Sequence, residues 1–268
     1  MTLFQPLDRE LLRSQYRAAE PFPFVAIDNL LDPAFADEVA GSYPSFETAT
    51  GQGKTFKSVN ERYKIQITDS SLFPEPAKRL NEALASSEFL DTLSYISGIP
   101  RLLADDKLEG GGLHLTGPGG RLDVHVDFNY LEPRKMHRRM NLLLYLNPVW
   151  ESQWGGHLQL WDRSVKVCRQ DVTPKHNRCI IFETSDHSYH GVTPIDVQAP
   201  LDRRSFAAYY YTMEPPAGWK GEVHSTIFQA RPDERVRAYL LMPAERLQQK
   251  LRQGLGWAKR EVKRAIGR

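Results

Sequence analysis

From Gly110 onward the chain breaks into short runs rich in Leu, Val, Ile and Tyr: 113–116, 122–127, 139–147, 157–161, 165–168, 178–183, 189–193 and 204–212. Clusters of Gly, Pro and Asn separate them. Runs this short, with no helix-period segments between them, argue against alternating βα units. Eight short strands predict a double-sheet jelly roll, whose two sheets bury their facing sides.

The first hundred residues have a different texture. Asp32-Pro33 supplies an N-cap and a first-turn proline for a helix through Phe35 and Val39. Pro74–Leu84 and Ser87–Ile96 predict two more helices, closed by Gly98 and Pro100. Residues 49–60, ATGQGKTFKSVN, read as a polar loop. Its GQGK lacks the preceding apolar strand and following helix that a phosphate-binding loop requires. After Pro215 the pattern loosens, and Pro243 precedes a terminal helix. The expected fold class is therefore α+β with a mainly β core. A single domain covers 1–243, with the jelly-roll core at about 108–213 and helical support over 1–107; residues 244–268 form a basic amphipathic C-terminal helix.

Composition narrows the class. Cys168 and Cys179 are the only cysteines of 268 residues and form no CxxC pair, so neither a disulfide framework nor a structural zinc site is expected. The opening MTLFQPLDRELLRSQ has no apolar stretch, and no run of 18 apolar residues occurs. The expected location is cytoplasmic. The net charge of +2 hides a tail, 245–268, with eight Lys or Arg against two Glu, so the body is mildly acidic and shows no nucleic-acid footprint. In the tail, Leu247, Leu251, Leu255, Ala258, Val262 and Ile266 recur at helical spacing among basic residues. That stripe fits packing on the domain, a homodimer contact, or an anionic membrane surface, which would make the protein peripheral on the inner membrane surface.

His125-Val126-Asp127 places an imidazole and a carboxylate on one face of a strand. These are two legs of the 2-His-1-carboxylate triad that holds non-haem Fe(II) with open positions. A lone pair of this kind arises often by chance. A second histidine must come from a facing strand, and His190 in DHSYHGVTP is preferred over His187, with His176 and His157 as structural or exposed residues. Thirteen residues later, RRSFAAYYYT offers a basic residue and a hydroxyl on one strand face, a cradle for a carboxylate. Strand alternation pairs Arg203 with Ser205 and turns Arg204 outward. Gly155-Gly156 reads as a turn, and Trp150, Trp154 and Trp161 as packing.

In order, HVD, YLNPVW, GGHLQLWD, SYHG and RRS before a strand of aromatics resemble the Fe(II)/2-oxoglutarate-dependent dioxygenases, in their prolyl 4-hydroxylase-like branch. The resemblance covers roughly residues 22–213 and implies a double-stranded β-helix, the jelly roll expected above. It implies that His125, Asp127 and His190 ligate iron, and that Arg203, supported by Ser205 and Tyr145, binds 2-oxoglutarate. Fe(II), 2-oxoglutarate and O2 are then required, ascorbate stimulates, and succinate and CO2 are released as an unactivated C–H is hydroxylated. Retention of Asp127 favours hydroxylation over halogenation. Leu115 departs from the family pattern where some relatives carry a Tyr, leaving His114 and Thr116 as nearby polar candidates.

Arg134, Lys135, His137, Arg138 and Arg139 form a basic segment that reads either as a solvated loop or as contact with an anionic substrate. Arg138, Asn141 and His114 are the candidate substrate contacts. The acceptor is a small molecule, a free or peptidyl amino acid or a sugar acid. Two rival readings are a non-catalytic metal-binding module and a peripheral hydroxylase of a lipid-linked glycan. The first predicts a broken triad or clamp, and neither is broken here.

Overall fold

Residues 3–244 are described by a computed structural model. The apolar stripe expected in the C-terminal tail lies outside the described residues. Before the core come α1 (Arg9–Ala18), β1 (Phe24–Ile27), α2 (Pro33–Gly41), α3 (Phe46–Gln52), β2 (Lys54–Lys57), β3 (Glu61–Ile67), α4 (Glu75–Leu84) and α5 (Ser87–Ser97). Asp32 Oδ1 accepts from the backbone N–H groups of Ala34 and Phe35, capping α2 as its sequence predicts. Gly98, at φ +76°, ends α5.

The core strands are β4 (Leu103–Ala104), β5 (Gly112–Val126), β6 (Tyr130–Leu131), β7 (Met136–Tyr145), β8 (Leu158–Trp161), β9 (Cys168–Val172), β10 (Cys179–Glu183), β11 (His190–Val192), β12 (Arg203–Thr212) and β13 (Ile227–Gln229). The path through the sheet is β1-β10-β7-β12-β5-β11-β8-β9. All of these pairings are antiparallel. β5 joins the two halves: its first residues pair with β12 and β3, its last with β11 and β13. The result is a mainly β half-barrel of jelly-roll type with helices on one side.

Alternation divides the major half. Met140, Leu142 and Leu144 of β7, with Phe206, Ala208 and Tyr210 of β12, pack against Leu80, Leu84, Phe89, Leu93 and Ile96 of the helices. Tyr210 also donates to the carbonyl of Leu84 at 3.1 Å. The opposite parity, Asn141 and Leu143 of β7 with Arg203, Ser205 and Tyr209 of β12, faces a cavity. Helical cover on one face therefore commits the other face to the site.

Several expectations are corrected. Residues 49–60 are not a loop: they hold the end of α3 and all of β2, which pairs with β3. Lys54, Lys57, Arg62 and Tyr63 leave this hairpin polar or exposed along most of its length. Its order comes from distant pairing, Ile65 opposite Leu115 and Ile67 opposite Leu113. The runs 113–116 and 122–127 are one continuous strand, β5. Residues 165–168 are mainly a turn: Asp162 Oδ1 accepts from Lys166 and Val167 N–H, Val165 takes φ +54°, and β9 begins at Cys168. The segment after Pro215 is less loose than expected, since β13 pairs with β5 through Phe228 and His125. Helical backbone runs over 235–244 and so starts before Pro243.

This segment is tethered by charge. Asp123, fully buried, pairs with Arg121 at 2.5 Å and with Arg237, and lies 3.7 Å from Arg231. Arg231 and Arg237 on Asp123, with Arg121 of β5 on Glu234, hold residues 231–237 onto β5, next to His125.

Candidate active site

The cavity between the two halves of the barrel measures about 330 Å³, within the range of small-ligand sites. His125 and Asp127 reach it from β5 and from the residue just past its end, and His190 from β11. His125 and His190 are directly paired across the two strands. His125 Nε2 lies 3.5 Å from Asp127 Oδ1, and His190 Nε2 lies 3.6 Å from Asp127 Oδ2. Among the described residues these three are the one set of His, Cys, Asp or Glu that can converge on a metal ion, with ligand atoms within 4.8 Å of one another.

The imidazoles are oriented from behind. His125 Nδ1 donates to the carbonyl of Asp123 and His190 Nδ1 to that of Ser188, both at 2.9 Å. A carbonyl only accepts, so each Nδ1 carries the proton and each Nε2 presents a lone pair to the cavity. Burial, followed by the neighbouring His125, lowers the pKa of His190 from 6.5 to about 4. Burial works against charge on Asp127, but Arg138 and the two histidines hold its carboxyl well below the usual range. A neutral imidazole and an ionised carboxylate are the forms that bind a divalent cation.

Arg203 and Ser205 line the cavity, and Tyr145 lies behind them in an apolar cluster with Leu158 and Phe182. Arg203 Nε donates to the carbonyl of Gly156 at 2.8 Å, and its guanidinium lies 4.8 Å from the Tyr145 ring centroid. Nη1 approaches Ser205 Oγ at 3.5 Å. Arg203 Nη2 and Tyr145 Oη are both buried and without a hydrogen-bond partner. Burial lowers the pKa of Arg203 and raises that of Tyr145. Orphaned buried donors on a cation cost stability unless an anion meets them, which fits a carboxylate ligand at this point. Arg204 instead faces away, with Nε 2.9 Å from Asp202 Oδ2.

The remaining candidates separate. His114 lines the cavity, with Nε2 3.1 Å from the carbonyl of Gly110 and 2.9 Å from Gln66 Nε2; burial and then Lys64 keep its pKa well below the ordinary value. Thr116 lines the cavity too, while Leu115 packs in the helix-side core. His187 is exposed, His176 bonds Asp37, and His157 bonds Asp171 and Ser152. The basic segment is no solvated loop, because His137 and Arg138 are buried in β7. Arg138 and Asn141 do line the cavity, but Asn141 is hydrogen-bonded to the carboxylate of Asp127 and Arg138 is ion-paired with it.

Sequence reasoning missed Gly156, Lys64, Gln66 and Phe228. Gly156 sits at φ +70°, and a Cβ there would come within 2.9 Å of Arg203 Cδ; the Gly-Gly pair was its signal. Lys64 and Gln66 arrive on the overlooked hairpin. Phe228, its ring 5.3 Å from His125, gave no local signal because long-range pairing with β5 places it.

Residues 111–211 match the family described as the 2OG-Fe(II) oxygenase superfamily. Prolyl 3-hydroxylase OGFOD1 of Mus musculus is 25% identical over 234 residues, covering 75% of this chain and 38% of that protein, so the chain spans well under half the length of this relative. A prolyl hydroxylase of Trichoplax adhaerens, solved with a hypoxia inducible factor oxygen degradation domain peptide, superposes with a TM-score of 0.55 at 21% identity, covering 76% of this chain and 88% of that one. A prolyl-4-hydroxylase of Pseudomonas putida gives 0.51 at 15% identity, covering 75% and 98%. Both structures share the fold.

Proposed function

We propose that this chain, whose residues 111–211 match the 2OG-Fe(II) oxygenase family, hydroxylates an unactivated C–H bond in a substrate that reaches the cavity between the two halves of its sheet. One observation carries the reading: the only converging metal-ligand set among the described residues shares its cavity with the buried guanidinium of Arg203, whose Nη2 has no hydrogen-bond partner. His125, Asp127 and His190 would hold Fe(II). Arg203, Ser205 and Tyr145 would hold the distal carboxylate of 2-oxoglutarate.

Bound there, Fe(II), 2-oxoglutarate and dioxygen supply oxidative decarboxylation to succinate and CO2, coupled to oxygen insertion into a C–H bond. The protein's own residues set the conditions. The carbonyls of Asp123 and Ser188 keep both Nε2 atoms deprotonated and aimed inward. Arg203, fixed by Gly156, would meet the carboxylate with its unpartnered Nη2, and the Tyr145 hydroxyl would be a second donor. Leu143, Leu158, Phe182 and Val192 make this part of the cavity apolar, which excludes water and strengthens each charge–charge contact. At the metal end, Phe228 stands against His125.

A prolyl residue in a peptide is the first acceptor to test, supported by the prolyl hydroxylases to which the chain is similar. A free amino acid or sugar acid is the second, supported by Lys54 among the cavity-lining residues. The test is succinate formation from 2-oxoglutarate by the full chain with Fe(II), with each acceptor and without, before and after chelation. Fe(II)-dependent succinate release that rises with an acceptor supports the reading. Failure to bind 2-oxoglutarate in the presence of metal overturns it.

A further inference from the structure

Asp127 does not stand alone against the metal position. Its Oδ2 accepts from Asn141 Nδ2 at 2.7 Å, and Arg138 Nη2 lies 3.0 Å from the same oxygen. The two donors are themselves joined: Asn141 Oδ1 accepts from Arg138 Nε at 3.0 Å and Nη2 at 2.7 Å. Thr184 Oγ1 lies 3.4 Å from that same oxygen. Oδ1 of Asp127 takes neither donor and faces His125. The guanidinium is held between rings, 3.6 Å from the centroid of Tyr209 and 4.6 Å from that of Phe128. Arg138 and Asn141 are almost wholly buried.

We infer that Arg138 and Asn141 are positioning residues: together they occupy one oxygen of Asp127, so the carboxylate offers the metal its other oxygen alone. The inference rests on the metal-site reading above and concerns how that site is built. A free carboxylate can rotate and chelate through both oxygens, which would take up a coordination position that the cosubstrates need. With Oδ2 held by a hydrogen bond from Asn141 and an ion pair with Arg138, rotation about Cβ–Cγ loses both contacts at once. The pair Arg138–Asn141 is closed on itself, and the Arg138 guanidinium lies over the rings of Tyr209 and Phe128, which restrains both side chains. Arg138 is thereby withdrawn from the role its place in the basic segment suggested. A guanidinium bonded to the metal's own carboxylate and stacked on two rings is not a free cation waiting for a substrate anion.

Mn(II) binding by the full-length, metal-free chain tests this without turnover, titrated by electron paramagnetic resonance at neutral pH. The variants are Arg138→Met, Arg138→Lys and Asn141→Ala. Outer partners of metal ligands typically contribute about 10–100-fold to affinity, so Arg138→Met and Asn141→Ala should weaken Mn(II) by that factor. Arg138→Lys keeps a charge but loses the fork, and should recover only part of the loss. The Mn(II) line shape should also change in both weakened variants, which a general loss of stability would not produce in protein that remains folded by circular dichroism. If Arg138→Met fails to fold, Asn141→Ala decides alone. Variants that bind Mn(II) like the parent, with the parent line shape, overturn the proposal and return Arg138 to the substrate. Failure of the parent itself to bind Mn(II) would instead remove the metal-site reading.

Discussion

His125 and His190 face each other across β5 and β11, with ring centroids 4.3 Å apart and each Nδ1 bonded to a backbone carbonyl two residues earlier in the chain. Neither imidazole depends on the other for its orientation. His190→Ala should therefore abolish turnover and metal binding while leaving the circular dichroism spectrum unchanged. The exposed His187 is the control: His187→Ala should keep both properties. Loss of metal binding in His187→Ala with retention in His190→Ala would refute the ligand assignment.

Arg203 and Arg204 are adjacent but belong to opposite faces of β12. Removing the charged partner of a buried carboxylate costs about 3–5 kcal/mol. Arg203→Ala should accordingly raise the 2-oxoglutarate concentration needed for half-saturation by roughly 10²–10³-fold or more. Arg204→Ala, which loses a contact with Asp202, should change it only slightly. Titration of 2-oxoglutarate against both variants tests the ranking.

Gly156 supplies the carbonyl that anchors Arg203 and does so at φ +70°. Gly156→Ala asks a side chain to adopt that φ and to crowd Arg203 Cδ. The expected destabilisation is about 1–3 kcal/mol, read by urea unfolding. A weaker 2-oxoglutarate interaction with unchanged Mn(II) affinity should accompany it. Equal weakening of both would show that the glycine supports the whole cavity and not the clamp.

His190 has a folded pKa of about 4 against an ordinary 6.5. Between those values the unfolded chain binds the proton that the folded chain excludes. Stability of the metal-free protein is therefore complete above pH 6.5 and falls as the pH drops toward 4, by on the order of 3 kcal/mol from this residue. Unfolding free energies measured across pH 4–7 should show a shallower slope in His190→Ala. An identical slope in parent and variant would assign the loss to other groups.

The amino-acid sequence by itself determined what depends on near neighbours. Asp32 caps its helix, Gly98 ends another, and alternation along β7 and β12 sets which residues share a face with Tyr145 and Arg203. HVD and RRS were legible because each sets its two groups two residues apart in a strand or at its end, where a period of two fixes direction. What the tertiary structure decided depends on partners far away in the chain. The β2–β3 hairpin has little apolar pattern of its own and is ordered by β5, so Lys64 and Gln66 entered the cavity unannounced. Phe228 reaches His125 through β13, held by arginines that meet Asp123 more than a hundred residues earlier. Arg138 read as either a solvated charge or a substrate contact, because nothing local shows that its carboxylate partner is Asp127, eleven residues back and just past the end of β5. Burial then turned that charge from a solvated group into a fixed donor, since an ion removed from water persists only where a counter-ion and hydrogen bonds replace the water it lost.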